Sequence, residues 1–306
     1  MPGHIVEIAY DSRHLYKERG FLVVKSHKDH QEVGRFAFDN TLALIANAHG
    51  LTYSNNVLVE LAERGIPFVL CGKNHNTVGH IFPVEGHHLQ AARFDAQIAA
   101  SKPVRKRMWK EVVVAKIRQQ ADIIESIGGK SARLLRLAAK VRSGDPDNCE
   151  AQAARYYWPQ LLGKQFRRDR NVSGTNAMIN YGSTVLRAAT ARAVVAAGLH
   201  PTLGIHHKNQ ANSMRLVDDL MEPFRPIIEY TVYRLVVDER TELDSECKQA
   251  LVRSLYTDLD SVDGRTPLIV CAQKLAISLV MVYTDKRPHL EFPTPWKPPE
   301  TFGKGW

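Results

Sequence analysis

The sequence predicts an α+β protein, with a small N-terminal β-rich domain followed by a larger all-helical domain. Three observations carry this. Up to about Cys71 the apolar residues form short runs or alternate with polar ones. Beyond about Leu89 they recur at helical spacing. Between these parts, residues 72–90 are rich in Gly and His, with Pro83 and Gly86, and read as a loop or linker. The 306 residues suffice for one large or two modest domains, and 44% hydrophobic content is ample for a core.

Taken in order, Val6-Glu7-Ile8-Ala9-Tyr10 alternates apolar and polar, as a half-buried strand does. Phe21-Leu22-Val23-Val24 is a compact β-rich run, and Leu42 to Ala46 is another short apolar segment. From Thr52 to Arg64 the spacing of Leu58, Leu61 and Ala62 is helical, with Gly65-Ile66-Pro67 ending it. Phe68-Val69-Leu70-Cys71 reads as a buried strand. Helices are expected over 89–101, 103–127, 130–142, 148–162, 175–198, 212–237, 243–257 and 266–283, with few strand signals among them. Gly198 suits the C-cap of the 175–198 helix. The last dozen residues hold five Pro or Gly, so the segment beginning EFPTPWKPPE reads as an extended tail. No internal repeat is visible.

Composition narrows the function. No run approaches 18 apolar residues, so no membrane span is expected. The N-terminus lacks a charged segment followed by an apolar one, so no secretory signal is expected either. Cys71, Cys149, Cys247 and Cys271 form no C-x-x-C pair, which points to a reducing cytoplasm and to cysteines buried as small apolar groups. Residues 1–86 carry 8 Lys/Arg against 9 Asp/Glu, a net −1, and the other 220 carry 33 against 23, a net +10. A neutral first part beside a basic second part fits a polyanion-binding domain, or simply a protein of high isoelectric point.

The stretch LGIHHKNQANSMRLVDDLMEPFRP, Leu203 to Pro226, carries the strongest chemical signal. Gly204-Ile205 precedes His206 and His207, and a glycine turn lets imidazoles approach a ligand closely. Asp219 and Glu222 lie three apart in a helical pattern and so share a face. Asp218 points about 100° away from Asp219, so only one of the two can join Glu222. Pro223 and Pro226 should kink or shift the helix just after Glu222. One imidazole facing one or two carboxylates outlines a divalent-metal site, and each piece alone also reads as ordinary surface. Glu150, in DNCEAQAARYYW, sits in the first turn of a helix that Asp147 or Asn148 can cap, where an acid is favourable in any case. A zinc site from His80, His87 and His88 is a minor alternative, weakened by the absence of nearby cysteines.

Two basic clusters flank these acids. The first holds Lys102, Arg105, Lys106, Arg107 and Lys110 around Trp109. The second holds Lys164, Arg167, Arg168 and Arg170 around Phe166, with Arg155, Tyr156, Tyr157 and Trp158 upstream. Lys and Arg suit phosphates and aromatic faces suit splayed bases, although most such runs are solvated surface. Asn171, Ser173, Asn176, Asn180 and Tyr181 crowd the start of the 175–198 helix, where Ser173 can cap and the amides can donate to phosphates.

At CEAQAARYYW, NAMINYGSTVLRA, GIHH and DDLMEPFRP the chain resembles the CRISPR-associated Cas-one family, the integrase subunit of spacer acquisition, and most of all its type II branch, II-C in particular. The resemblance covers nearly the whole chain, and DDLMEPFRP is its most specific part. It implies that Glu150, His207 and Glu222 are catalytic and bind Mg²⁺ or Mn²⁺, with His206 and Asp219 as secondary candidates. His207 fits the family histidine, three residues after the turn glycine, and Glu222 stands where many relatives have Asp. The implied organisation is a dimerisation domain over 1–85, a linker and first helix over 86–100, a helical metal-dependent catalytic domain over 101–290 and an extended tail over 291–306. The implied activity inserts the 3′-hydroxyl ends of a protospacer into the repeat DNA of a CRISPR array. The implied partners are double-stranded DNA, a second copy of the chain, a Cas-two dimer gripped by two such homodimers, and Cas-nine. Two alternatives stay open, a general metal-dependent nuclease on branched DNA and a non-catalytic DNA-binding scaffold.

Overall fold

Strand β1 (His4–Ile8) turns Val6 and Ile8 into an apolar layer and leaves His4 exposed. A computed structural model describes residues 4–72, 77–169 and 172–298, and divides the chain into two units, Met1–Gln90 and Ala91–Trp306. In the first unit β2 (Arg13–Glu18), β3 (Phe21–Ser26) and β4 (Glu32–Ala37) follow β1. Arg19 and Gly20, with φ of 46° and 83°, turn β2 into β3. Then come β5 (Thr41–Ala46), β6 (Thr52–Tyr53), α1 (Asn55–Glu63), β7 (Phe68–Cys71) and β8 (Thr77–Ile81).

One sheet runs β1-β5-β7-β8, parallel except for β8, and the other runs β4-β3-β2-β6. Val6, Ile8, Leu15, Leu22, Phe38, Leu44 and Phe68 share one core with Val57 and Leu61 of α1. Residues 77–81 were expected in a linker, but pair antiparallel to β7 and close that sheet's edge. Strands β2 and β4 carry little apolar signal, because Leu15 is the only fully buried residue of the first and the second has none.

The second unit is built on α2 (Gln90–Ala99) and the long α3 (Lys102–Ser126), whose Ser101 cap accepts from Val104 N at 3.4 Å. The helices α4 (Ala132–Lys140), α5 (Cys149–Leu162), α6 (Thr175–Ala196), α7 (Arg215–Met221), α8 (Arg225–Val237) and α9 (Ser245–Arg253) follow. A hairpin, β9 (Asp258–Ser261) and β10 (Gly264–Pro267), precedes α10 (Leu268–Tyr283). Helix α3 packs on α4, α5, α7 and α8, while α6 packs on α7, α8, α9 and α10. The α7–α8 corner, with its acids, is therefore held between α3 and α6. Where α6 crosses α8, a Cβ on Gly182 would stand 2.4 Å from Ile228 Cγ2, so only glycine allows that approach.

Three helical expectations are corrected. The 212–237 helix is two helices, because Pro223 ends α7 and Pro226 begins α8. The 243–257 helix stops at Arg253 and continues as one 3₁₀ turn, Ser254–Tyr256. The second unit is not all helical: Asp263-Gly264 sits at the turn of the β9–β10 hairpin. After α10 the chain is extended and tied to α3, with Trp296 N donating to Gln119 Oε1 and Gln119 Nε2 donating to Trp296 O, both at 2.8 Å. Residues 299–306 of the expected tail lie outside the described residues. All four cysteines are free thiols, three buried and Cys71 half-buried. Among the described residues no helix is long and apolar enough to cross a membrane.

Candidate active site

Glu150 is fixed by the start of α5. Asn148, in the left-handed conformation with φ of 52°, is the N-cap, and its side chain accepts from Ala151 N at 3.4 Å. Asp145 adds a second cap, accepting from Cys149 N at 2.8 Å and Glu150 N at 3.0 Å. Asp147, the other expected cap, instead pairs with Arg142. With its backbone held this way, the half-buried Glu150 side chain reaches Lys116 of α3, 2.6 Å away.

Glu222 is the C-cap of α7 and is buried. Its Oε2 lies 2.5 Å from Lys116 Nζ, and its Oε1 accepts from Arg225 Nη1 at 2.8 Å. Two carboxylates 72 positions apart in sequence thus share one buried ammonium. That buried Oε2 has the Lys116 ammonium beside it and, among the described residues, no other partner. Burial pushes the Glu222 carboxyl up, and Arg225 and Lys116 more than reverse it, holding it at about 2. Burial pulls the Lys116 ammonium down, but Glu222 and Glu150 leave it raised. Deeper in, burial pushes the Glu229 carboxyl up, partly offset by Arg225.

The histidine turn is organised by Asp219, which is fully buried. Its Oδ2 accepts from Ile205 N at 2.6 Å and His206 N at 3.0 Å, and its Oδ1 accepts from His207 N at 3.3 Å. His207 Nδ1 lies 2.6 Å from the same Oδ1. A carboxylate only accepts, so Nδ1 carries the proton and the lone pair of Nε2 is left as the donor. Gly204 is required because a Cβ there would stand 3.0 Å from Asp219 Oδ2 and 2.9 Å from Arg215 Cβ. His206 instead stacks on the buried Trp109, with centroids 4.2 Å apart and planes 3° off parallel. Partial burial lowers its pKa, while the Asp219 hydrogen bond raises that of His207.

These contacts sort the expected residues. Asp219 spends both oxygens on the histidine turn and so supports His207 from behind. Asp218 faces away and pairs with Arg187 at 2.7 Å. The Glu222 charge acts on His207 and the Glu150 charge on His206, so the three elements converge on one region. Among the described residues, no three His, Cys, Asp or Glu side chains stand close enough together to hold a metal ion as they are placed. Lys116 fills the space between the two glutamates. The zinc alternative gathers no such group either: His87 stacks on His88 and His80 on Phe82.

The basic clusters divide in the same way. Lys102, Lys106, Arg155, Lys164 and Arg167 are exposed and Arg105 is half-buried. Arg168 is tied to Asn176 Oδ1 at 3.0 Å and Asn180 Oδ1 at 2.7 Å, and buried Asn176 also bonds the backbone of Asp169 and Arg167. Arg168, Asn176 and Asn180, expected at phosphates, thus also form a clamp that holds the loop before α6. Gly174 begins that helix, without the expected Ser173 side-chain cap. Arg170 and Asn171 lie outside the described residues. Trp109 and Tyr157, expected as base-stacking aromatics, are core residues.

Sequence reasoning missed Lys116 and Arg225. Lys116 had a signal: Trp109, Val112, Val113, Lys116 and Ile117 follow helical spacing, which puts a lysine on an apolar stripe. A lysine is rarely buried without a carboxylate partner.

The chain is similar to several known proteins. A CRISPR-associated endonuclease Cas1 from Neisseria meningitidis serogroup C (strain 8013) is 35% identical over 234 residues, covering 75% of this chain and 77% of that protein. Among solved structures, a casposase bound to integration product superposes with a TM-score of 0.78 at 18% identity, covering 95% of this chain and 93% of that one. A Cas6-RT-Cas1–Cas2 complex gives 0.74 at 17% identity, covering 96% of this chain and 36% of the longer one. The model of the family described as CRISPR associated protein Cas1 matches residues 7–248, which span Glu150, His207 and Glu222, and the chain belongs to that family.

Proposed function

We propose that the chain is the integrase of CRISPR adaptation in a type II-C system. It joins the 3′-hydroxyl ends of a DNA fragment to a strand of the array's repeat by in-line transesterification. The observation that carries this reading is the sharing of one buried cation by Glu150 and Glu222, beside a histidine whose free nitrogen is Nε2.

The donor set fits a divalent cation. It offers two carboxylates, one of them with a buried oxygen met by the Lys116 ammonium alone, an imidazole oriented through its far nitrogen, and that ammonium already standing as a cation between the acids. Glu150, Glu222 and His207 would hold it. When bound, Mg²⁺ or Mn²⁺ lowers the pKa of the attacking hydroxyl and offsets charge on the attacked phosphate. The protein itself does the positioning. Asp219 holds the His207 ring, the Asp145 cap fixes Glu150, and Arg225 keeps Glu222 ionised. Exposed Lys102, Lys106, Arg155, Lys164 and Arg167, with Arg105, supply phosphate contacts that keep the strands in register.

The likeness to a casposase bound to integration product and to a Cas1–Cas2 assembly supports both DNA and Cas2 as partners, and we take Cas2 to act as a dimer. In this reading two homodimers, paired through their β-rich units, flank that dimer, work in the cytoplasm and meet Cas-nine in protospacer choice. Integration and simple hydrolysis share the site and differ in nucleophile. The test incubates the protein and its Cas2 partner with a labelled fragment, a repeat-bearing plasmid and Mn²⁺. New strand joints at the repeat are expected. Nicks without joints make the chain a nuclease only, and metal-independent DNA binding with no product makes it a scaffold.

A further inference from the structure

We infer that Lys116 is a resident stand-in for the metal: its ammonium holds Glu150 and Glu222 together in the metal-free protein and must swing out before a divalent cation can enter. This rests on the proposed metal site and adds a residue that controls its loading.

The charge balance is the first argument. In the buried cluster Lys116 and Arg225 face Glu150 and Glu222, with Glu229 a further 3.8 Å from Arg225. A divalent cation entering between Glu150 and Glu222 while the ammonium stays would stand against it in a poorly screened interior. The ammonium and the metal therefore compete for one position. Arg225 is not the one to leave, because it also faces Glu229 at 3.8 Å behind the site.

Geometry agrees. Nζ lies 2.6 Å from Glu150 and 2.5 Å from Glu222, and no described trio of metal-binding side chains is close enough to bind while it stays. The lysine stem is long and flexible, whereas α3 is a 25-residue helix held on α4, α5, α7 and α8. Movement therefore belongs to the side chain and not to the helix. The way out is on the Glu150 side, where that carboxylate is 26% exposed against 7% for Glu222. With the ammonium withdrawn and the metal in place, the cluster gains one positive charge. That charge suits an arriving phosphate.

The metal-competent arrangement is then a minor population of the free protein, and the apparent Mn²⁺ affinity is weakened by that fraction. The experiment measures Mn²⁺ binding by calorimetry and electron paramagnetic resonance for the wild type, Lys116→Met and Lys116→Arg. Lys116→Met, similar in length and uncharged, should bind Mn²⁺ at least about tenfold tighter, while Lys116→Arg should bind no better than wild type. Equal or weaker binding by Lys116→Met, with wild type binding intact, overturns the inference and leaves the metal site standing. Binding by none of the three overturns both.

Should Lys116→Met fail to fold, the wild type decides alone. A crystal soaked in Mn²⁺ should show anomalous density between Glu150 and Glu222 with Nζ moved away from both. Density there with Nζ still bridging the two carboxylates contradicts the proposal.

Discussion

His207 Nδ1 and Asp219 Oδ1 stand 2.6 Å apart, and this contact fixes both the tautomer and the direction of the ring. Asp219→Asn keeps the shape but loses an acceptor that now serves two groups at Oδ1. Losing such a supporting carboxylate typically costs 10–100-fold in metal affinity or activity. Strand transfer by Asp219→Asn should fall by about that factor with Mn²⁺ subsaturating, and partly recover at high Mn²⁺. A loss that high Mn²⁺ leaves untouched contradicts a positioning role.

The Gly204 turn makes a steric prediction. A methyl there meets the His207 carbonyl at 3.1 Å and Asp219 Oδ2 at 3.0 Å, an oxygen held by both Ile205 N and His206 N. Gly204→Ala should cost roughly 1–3 kcal/mol in urea unfolding, as overpacking generally does. It should also lower strand transfer more than it lowers DNA binding. Wild-type stability and activity together would show that the turn has room to spare.

Glu222 links the site to acid stability. Its carboxyl is held at about 2 in the folded protein, against an ordinary 4.5. Above 4.5 the group is ionised in both states and its stabilisation is fully present. As pH falls from about 4.5 toward 2 the unfolded chain takes up the proton first, and that stabilisation is lost. The difference amounts to as much as about 3 kcal/mol. Metal-free Glu222→Gln should be less stable at pH 7, because Lys116 and Arg225 lose a partner. It should also show a shallower loss below pH 4.5. Denaturant midpoints at stepped pH check both, and parallel acid profiles would contradict the ion-pair account.

The basic residues separate by salt dependence. Lys164 and Arg167 are exposed, while Asn176 is buried in the loop clamp. Lys164→Ala with Arg167→Ala should reduce the slope of log affinity against log salt by about 2, one per phosphate contact. Asn176→Ala should lower thermal stability and leave that slope unchanged. The reverse pattern would restore Asn176 to DNA contact.

The fold class was legible, and so were the helix start that carries Glu150 and the corner that carries Glu222, because each had a local signature. Helical spacing announced most of the second unit, and the proline pair marked the α7–α8 corner that presents Glu222. What stayed hidden depends on pairing across the chain. Strand β8 carries two apolar side chains in five residues, Val78 and Ile81, and is stabilised by β7, not by its own pattern. The β9–β10 hairpin contains an Asp-Gly turn, but Leu259 and Thr266 are its only buried residues, too few to show a period of two. The bonds from Arg168 to Asn176 and Asn180 were hidden too, because nothing local shows that Arg168 folds back on them. Lys116 could be read only as a lysine on an apolar stripe, since its place in the site comes from two glutamates far away in sequence.

The central claim is that Glu150, His207 and Glu222 act as one metal-holding unit, and residues that act as a unit lose activity non-additively. Single-turnover strand transfer with Mn²⁺ should be measured for Glu150→Ala, His207→Ala and the double variant. Each single change should abolish joint formation nearly as fully as the double change, while fragment binding persists. Joint formation at the wild-type rate by either single variant would contradict the account.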